Sequence, residues 1–333
     1  MPSGFRRVND KVKVTALGFG AAPIGNLYTE VSDRDAATAV QHAWAQGIRY
    51  FDTAPYYGYG LSEQRLGAAL AQFPRDSYAL STKVGRQVSR DARNPVANDG
   101  FAVEGSSVFD YSRDGILRSV EASQRRLGTD YIDMLLLHDI GAETHGEHHA
   151  EVMRQVFDET LPALAELKRE GVCGAIGLGV NEQAVCLEVM PVFPLDCIMI
   201  AGRYTLLEQS GSSGLLAAAS KHAVAILAAG PYNSGLLSNP ESPGVTYNYV
   251  PVDAVTLSKA NALYRAAQEC DVEVGSAALQ FPLAHPAVAS VVVGMRSGSE
   301  AAATVSRANA RIPSSFWQEL KYRGLLPEGA ITP

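Results

Sequence analysis

Apolar, strand-like runs alternate with helical patterns along nearly the whole chain, and such alternation builds parallel strand–helix–strand units rather than hairpins. The strand runs fall at residues 14–18, 49–52, 78–83, 131–138, 175–180, 197–201, 224–228 and 289–293. Helical patterns fall at 33–46, 62–71, 112–127, 160–170, 182–190, 214–222, 272–284 and 299–309. Ser32 and Asp35 have the spacing of a capping box, and Gly47, Gly128 and Gly171 stand where a helix ends in a left-handed residue. Eight such units predict a (β/α)8 TIM barrel. A doubly wound sheet is the alternative, and its glycine fingerprint is absent. The stretch Leu17-Gly18-Phe19-Gly20-Ala21-Ala22-Pro23-Ile24-Gly25 puts proline at the third glycine position, and no helix follows at once. No repeat, linker or low-complexity tract divides the chain, so residues 1–333 are expected to form one barrel domain. Segments 85–111, 139–158 and 229–252 exceed ordinary connections. Each follows a strand, which places it on the C-terminal face, where barrel loops shape pockets.

The ends of three of these strands carry the chemistry. Phe51-Asp52-Thr53-Ala54-Pro55-Tyr56-Tyr57-Gly58 sets a carboxylate and a tyrosine at the end of one strand, Ser81-Thr82-Lys83 ends the next, and Leu135-Leu136-Leu137-His138 ends the third. An isolated tyrosine has a pKa of about 10 and is inert at neutral pH. A lysine ammonium beside it favours phenolate, and an aspartate beside the lysine keeps that ammonium charged and aimed. Singly, Asp52 reads as a turn cap, Tyr57 as packing, Lys83 as a solvated strand end and His138 as a core histidine. Their joint placement at strand carboxyl ends favours an acid–base site.

Composition removes other classes. A net charge of −7 and an isoelectric point near 5.5 offer no basic patch for nucleic acid or an anionic membrane. Residues 1–7 are not followed by an apolar leader core, and no apolar run reaches membrane-spanning length, so a cytoplasmic location is expected. The 4 cysteines, Cys173, Cys186, Cys197 and Cys270, are single and scattered, which reads as reduced core residues. His145, His148 and His149 lie in a segment of loop composition without supporting ligands, so no metal is assigned to them.

Asp52 and Tyr57 in Asp-Thr-Ala-Pro-Tyr-Tyr-Gly, Lys83 in Ser-Thr-Lys and His138 in Leu-Leu-His resemble the tetrad of the aldo-keto reductases. Further similarity lies in residues 176–181, 230–237 and 292–297, so the resemblance spans almost the entire chain. It implies a (β/α)8 barrel that binds a nicotinamide dinucleotide without a Rossmann domain. It also implies that Tyr57 exchanges a proton with the substrate oxygen, Lys83 lowers the phenol pKa, Asp52 holds Lys83 and His138 orients the substrate. By the same resemblance Asn181 bonds the nicotinamide carboxamide, and Ser234, Gly235 and Leu236 lie along the pyrophosphate.

The chain departs from the family pattern at four places. Ala229 stands where an aromatic ring usually stacks on the nicotinamide, leaving Tyr204 to supply it, and Gly179 occupies the usual serine position. Gly294 and Glu300 replace the basic pair that surrounds a 2′-phosphate, with Arg296 as a nearby cation. A carboxylate there repels a phosphate and accepts from a ribose hydroxyl, which implies NAD rather than NADP. Within the family, residues 201–209 and the long segment after Lys83 are most similar to NAD-linked L-fucose or D-threo-aldose 1-dehydrogenases and to pyridoxal 4-dehydrogenases. The expected reaction is oxidation of a C1 hydroxyl to a lactone, with Tyr56 and Asp139 lining the substrate pocket. Pyridoxal oxidation, an NADPH-dependent carbonyl reductase and a cofactor-sensing regulatory subunit are the alternatives. Oligomeric state is not readable.

Overall fold

The computed structural model describes residues 4–91, 100–209, 212–238, 246–247 and 250–333. Eight parallel strands close a barrel: β1 (Leu17–Gly20), β2 (Tyr50–Asp52), β3 (Ala79–Val84), β4 (Ile132–His138), β5 (Cys173–Val180), β6 (Cys197–Ala201), β7 (Ala225–Ala229) and β8 (Val288–Gly294). Each pairs with its neighbours in sequence order, and β8 returns to β1 through Gly294 opposite Gly20. The outer ring is formed by α1 (Asp33–Ala45), α2 (Leu61–Leu70), α3 (Arg113–Leu127), α4 (Leu161–Arg169), α5 (Gln183–Val189), α6 (Ser212–His222), α7 (Val274–Leu283) and α8 (Gly298–Asn309). The capping signals act as expected: Ser32 Oγ accepts from Asp35 N at 3.1 Å, and Gly128 is left-handed at φ 68°.

Alternation along the strands sorts side chains into two cores. Outward residues such as Leu17, Phe51, Leu135, Ile176 and Ile198 pack under the helices. Inward residues, among them Tyr50, Met134, Leu136, Met199 and Leu227, fill the barrel. Residue size is matched across the interior: a Cβ on Gly18 would stand 2.7 Å from Tyr50 Cδ1.

Several boundaries differ from the sequence reading. The run at 14–18 divides at Ala16. Lys13–Thr15 pairs antiparallel with Phe5–Arg7, and this hairpin covers the barrel floor with Val8, Val12 and Val14, so the barrel strand begins only at Leu17. Segment 85–111 contains a two-stranded hairpin, Arg86–Ser89 with Ser106–Phe109. Segment 139–158 contains short helices at Ala142–His145 and His149–Gln155. Two helices were not anticipated: Ala254–Glu269, which begins where Asp253 accepts from Val255 N and Thr256 N at 2.9 Å each, and Ser314–Tyr322, anchored by buried Phe316, Trp317 and Leu320. Among the described residues, no helix is long and apolar enough to cross a membrane.

Candidate active site

A cavity of about 470 Å³ opens at the carboxyl ends of the barrel strands. At its floor, strand register determines which groups meet. Asp52 lies opposite Ser81, and Lys83, two residues further along β3, points to the same inner side. Lys83 Nζ reaches both oxygens of Asp52, at 3.1 and 2.9 Å, and the carbonyl of Thr53 at 2.9 Å, which fixes the position of the ammonium. Ser81 Oγ donates to Asp52 Oδ1 at 2.7 Å, and the buried Tyr50 hydroxyl lies 3.0 Å from Ser81 Oγ. The polar chain Lys83–Asp52–Ser81–Tyr50 therefore descends into the barrel. Ser81 and Tyr50 were missed in the sequence, although the two-residue spacing to Lys83 and Asp52 carried the signal.

Tyr57 sits above this chain, with Lys83 Nζ 4.7 Å from its ring centre. Burial raises the phenol above its ordinary pKa, and Lys83 offsets that rise only in part. The expected net lowering is thus reversed by desolvation in the protein alone. Burial also disfavours the Lys83 ammonium, but Asp52 and Tyr57 outweigh it and raise its pKa. Burial lifts the Asp52 carboxyl while Lys83 and Ser81 draw it back. His138 ends β4 almost fully buried, its Nδ1 without a partner, and burial depresses it to about 3, so it is a neutral imidazole. Its ring meets Tyr57 edge-on at 6.2 Å. A phenol, an ammonium and a neutral imidazole around one space can exchange a proton with a substrate oxygen.

The other expected residues divide. Asn181, Ser234, Gly235, Gly294, Arg296, Glu300 and Asp139 line the cavity with Tyr57, Asp52, Lys83 and His138. Tyr204 does not: it is buried in the outer layer, 5.4 Å from the Phe281 ring and edge-on to His285, where apolar packing draws it away from the nicotinamide side. Leu236 also leaves the cavity wall, since its side chain joins the apolar core. The amides of Gly235 and Leu236 already donate to the carbonyls of Tyr232 and Asn233 within a tight turn, leaving them unable to cradle a phosphate without rearrangement. Tyr56 stands behind the wall, 4.0 Å over the guanidinium of Arg86. Gly179 has a spatial reason: a Cβ there would come within 3.2 Å of Lys83 Cε.

At the far end of the cavity, Arg296 Nε pairs with Glu300 Oε1 at 3.0 Å, and its amide donates to Glu300 Oε2 at 2.9 Å. Arg307, which sequence reasoning missed, also lines this end and pairs with Glu273 at 2.6 Å. The histidine-rich segment is committed to structure at His145, whose Nε2 contacts the carbonyl of Asp139 at 2.8 Å and the Tyr111 hydroxyl at 3.0 Å.

Residues 16–322 match the Aldo/keto reductase family. The chain belongs to that family. It is similar to pyridoxal 4-dehydrogenase of Microbacterium luteolum, at 38% identity over 94% of this chain and 95% of that protein. It is likewise similar to D-threo-aldose 1-dehydrogenase of a Pseudomonas species, at 39% identity over 94% and 95%. Among solved structures, the holo form of an aldo-keto reductase from Bacillus halodurans superposes with a TM-score of 0.75 at 27% identity, covering 98% of this chain and 97% of that one. The chain is therefore an oxidoreductase of the aldo/keto reductase family, whose members work with a nicotinamide dinucleotide on small molecules.

Proposed function

We propose that this aldo/keto reductase is an NAD-linked dehydrogenase that oxidises the C1 hydroxyl of an aldose in its cyclic hemiacetal form to a lactone. The observation that carries the reading is the fixed contact of Lys83 with both oxygens of Asp52 beneath Tyr57, on the floor of a cavity that Asn181, Ser234, Gly294 and Glu300 also line. The two relatives described above support it, since one is named for an aldose and the other for pyridoxal, which also forms a cyclic hemiacetal.

The residues fit a dinucleotide. Asn233 Oδ1 is buried without a partner on the cavity wall, and the consecutive left-handed residues Asn233, Ser234 and Gly235 line the same cavity as Asn181. Asn181 would hold the carboxamide, the Ser234 hydroxyl the pyrophosphate, with the turn amides of Gly235 and Leu236 joining only after rearrangement, and the Gly294–Glu300 segment the adenosine. The bound dinucleotide supplies the hydride acceptor. Tyr57, as the phenolate that Lys83 favours, takes the proton of the substrate hydroxyl and becomes a neutral phenol, Asp52 fixes Lys83, and neutral His138 hydrogen-bonds the reacting oxygen. General acid–base catalysis of this kind contributes roughly 10² to 10⁴ in rate, and positioning supplies much of the rest.

NAD preference is supported by the pairing of cations. Among the described residues, every lysine and arginine lining the cavity already faces a carboxylate: Lys83 with Asp52, Arg296 with Glu300 and Arg307 with Glu273. A 2′-phosphate would have to displace one of these anions. The test is reduction of NAD+ and NADP+ over a panel of aldoses and pyridoxal. Higher kcat/KM with an aldose and NAD+ is expected. Turnover of pyridoxal alone, or faster reaction with NADP+, overturns the respective part.

A further inference from the structure

Beside His138, proton exchange at the reacting oxygen leaves a charged group on the cavity wall, Asp139, unused. Asp139 follows His138 directly and is held at φ 47°, a left-handed conformation that costs a residue with a Cβ roughly 1 kcal/mol. Its backbone is fastened from the loops: the Tyr111 hydroxyl lies 2.9 Å from the carbonyls of both His138 and Asp139, and His145 Nε2 adds a third contact. The carboxylate receives Arg86 Nη2 at 2.7 Å, and that guanidinium is stacked between the rings of Tyr56 and Phe109 at 4.0 and 4.2 Å. Asp139 lines the cavity, whereas Arg86 does not. Asp139 Oδ2 also faces His138 Nε2 across 3.4 Å.

A buried ion pair serving stability alone does not need its anion in a strained backbone with one side open to the substrate space. Burial works against the charge of the Asp139 carboxyl, but the Arg86 guanidinium and more distantly Lys83 hold it below its ordinary range, while Tyr111 and His145 anchor the backbone carbonyl and so aim the side chain. An ionised carboxylate only accepts hydrogen bonds, so it reads an O–H and not a carbonyl. Oxygens on adjacent carbons stand about one hydrogen-bond length apart, close to the gap between His138 Nε2 and Asp139 Oδ2.

We infer that Asp139, held by Arg86, recognises a hydroxyl on the carbon next to the reacting one, and so selects substrates with hydroxyls on adjacent carbons. The inference rests on the dehydrogenase reading of Tyr57 and His138. It extends that reading by assigning the second oxygen and the residue that receives it.

The test compares substrates that differ only in that hydroxyl. With NAD+ and NADP+ both supplied, kcat/KM is measured for L-fucose and 2-deoxy-L-fucose. With NADH and NADPH both supplied, it is measured for glycolaldehyde and acetaldehyde. The wild type is expected to prefer the hydroxylated member of each pair by about 100-fold. Asp139→Asn should narrow that ratio about tenfold or more. Asp139→Gly, which suits the left-handed backbone, serves if the asparagine variant does not fold. A wild-type ratio below about threefold in both pairs, or a ratio unchanged in a folded variant, overturns the inference. If neither sugar is oxidised but the glycolaldehyde preference depends on Asp139, the aldose reading fails and the assignment of Asp139 stands.

Discussion

At the residue scale, Tyr57 is governed by burial that raises its pKa and by Lys83, which offsets part of that rise. The phenol is therefore protonated at neutral pH in the protein alone. A base must first lose its proton, so oxidation should accelerate as pH rises through the alkaline range. An acid works while protonated, so reduction should hold level and fall only above the Tyr57 pKa, which lies above the ordinary value of about 10. Rate profiles in both directions from about pH 6 to pH 10 check the sign, and an oxidation rate that declines across that range contradicts it. His138, depressed to about 3, should contribute no break near the usual histidine value. Tyr57→Phe removes the proton carrier and should lower kcat by roughly 10² to 10⁴ while leaving the dinucleotide Kd unchanged, as read by fluorescence titration. Lys83→Met leaves the Asp52 carboxylate buried without its cation and should cost about 3–5 kcal/mol in denaturant unfolding.

At the scale of elements, strand ends and helix starts position these residues. The N-terminus of α8 joins Glu300 to Arg296, so Glu300→Gln should free that guanidinium for a phosphate. The ratio of kcat/KM for NADP+ over NAD+ is expected to rise about tenfold, consistent with one added charge-assisted hydrogen bond. In β1, Gly18→Ala would drive a methyl against the immobile Tyr50 ring. An overpacking cost of about 1–3 kcal/mol should lower the denaturant midpoint without changing its slope. These elements were legible in the sequence to different degrees. The Asp52–Tyr57, Lys83 and His138 strand ends combined apolar runs with unusual polar residues, so their positions and chemistry could be read together. Arg86 and Tyr111 gave no such signal, because a loop arginine acquires meaning only from the rings and the carboxylate that tertiary structure brings to it. Tyr204 misled because an aromatic near a strand end suits either a cavity or the helix layer, and only Phe281 across the interface decides between them. The helix Ala254–Glu269 carried signals in Asp253 and in the spacing of Leu263 and Ala267, but the glycine- and proline-rich sequence of 229–252 before it obscured its start.

At the scale of the whole molecule, the barrel has a floor and a mouth with different duties. The floor is covered by the hairpin of Phe5–Arg7 and Lys13–Thr15, and Arg6 ties it to the carbonyls of Leu283 and Val288 at 3.1 and 2.6 Å. Arg6→Ala should therefore lower the unfolding midpoint while leaving KM for the substrate unchanged, because none of the described residues of this hairpin lines the cavity at the mouth. The closing seam has a further consequence for synthesis. Asp52, Tyr57, Lys83 and His138 all leave the ribosome in the first half of the chain, yet β1 has no partner on its outer side until Val288–Gly294 arrives to pair Val291 with Leu17. Until then the nascent sheet carries two unsatisfied edges, each a template for pairing with another chain. A message truncated shortly before that last strand would yield a protein with all four proton-handling residues and no closed wall, a product fit for chaperones and proteases rather than for catalysis.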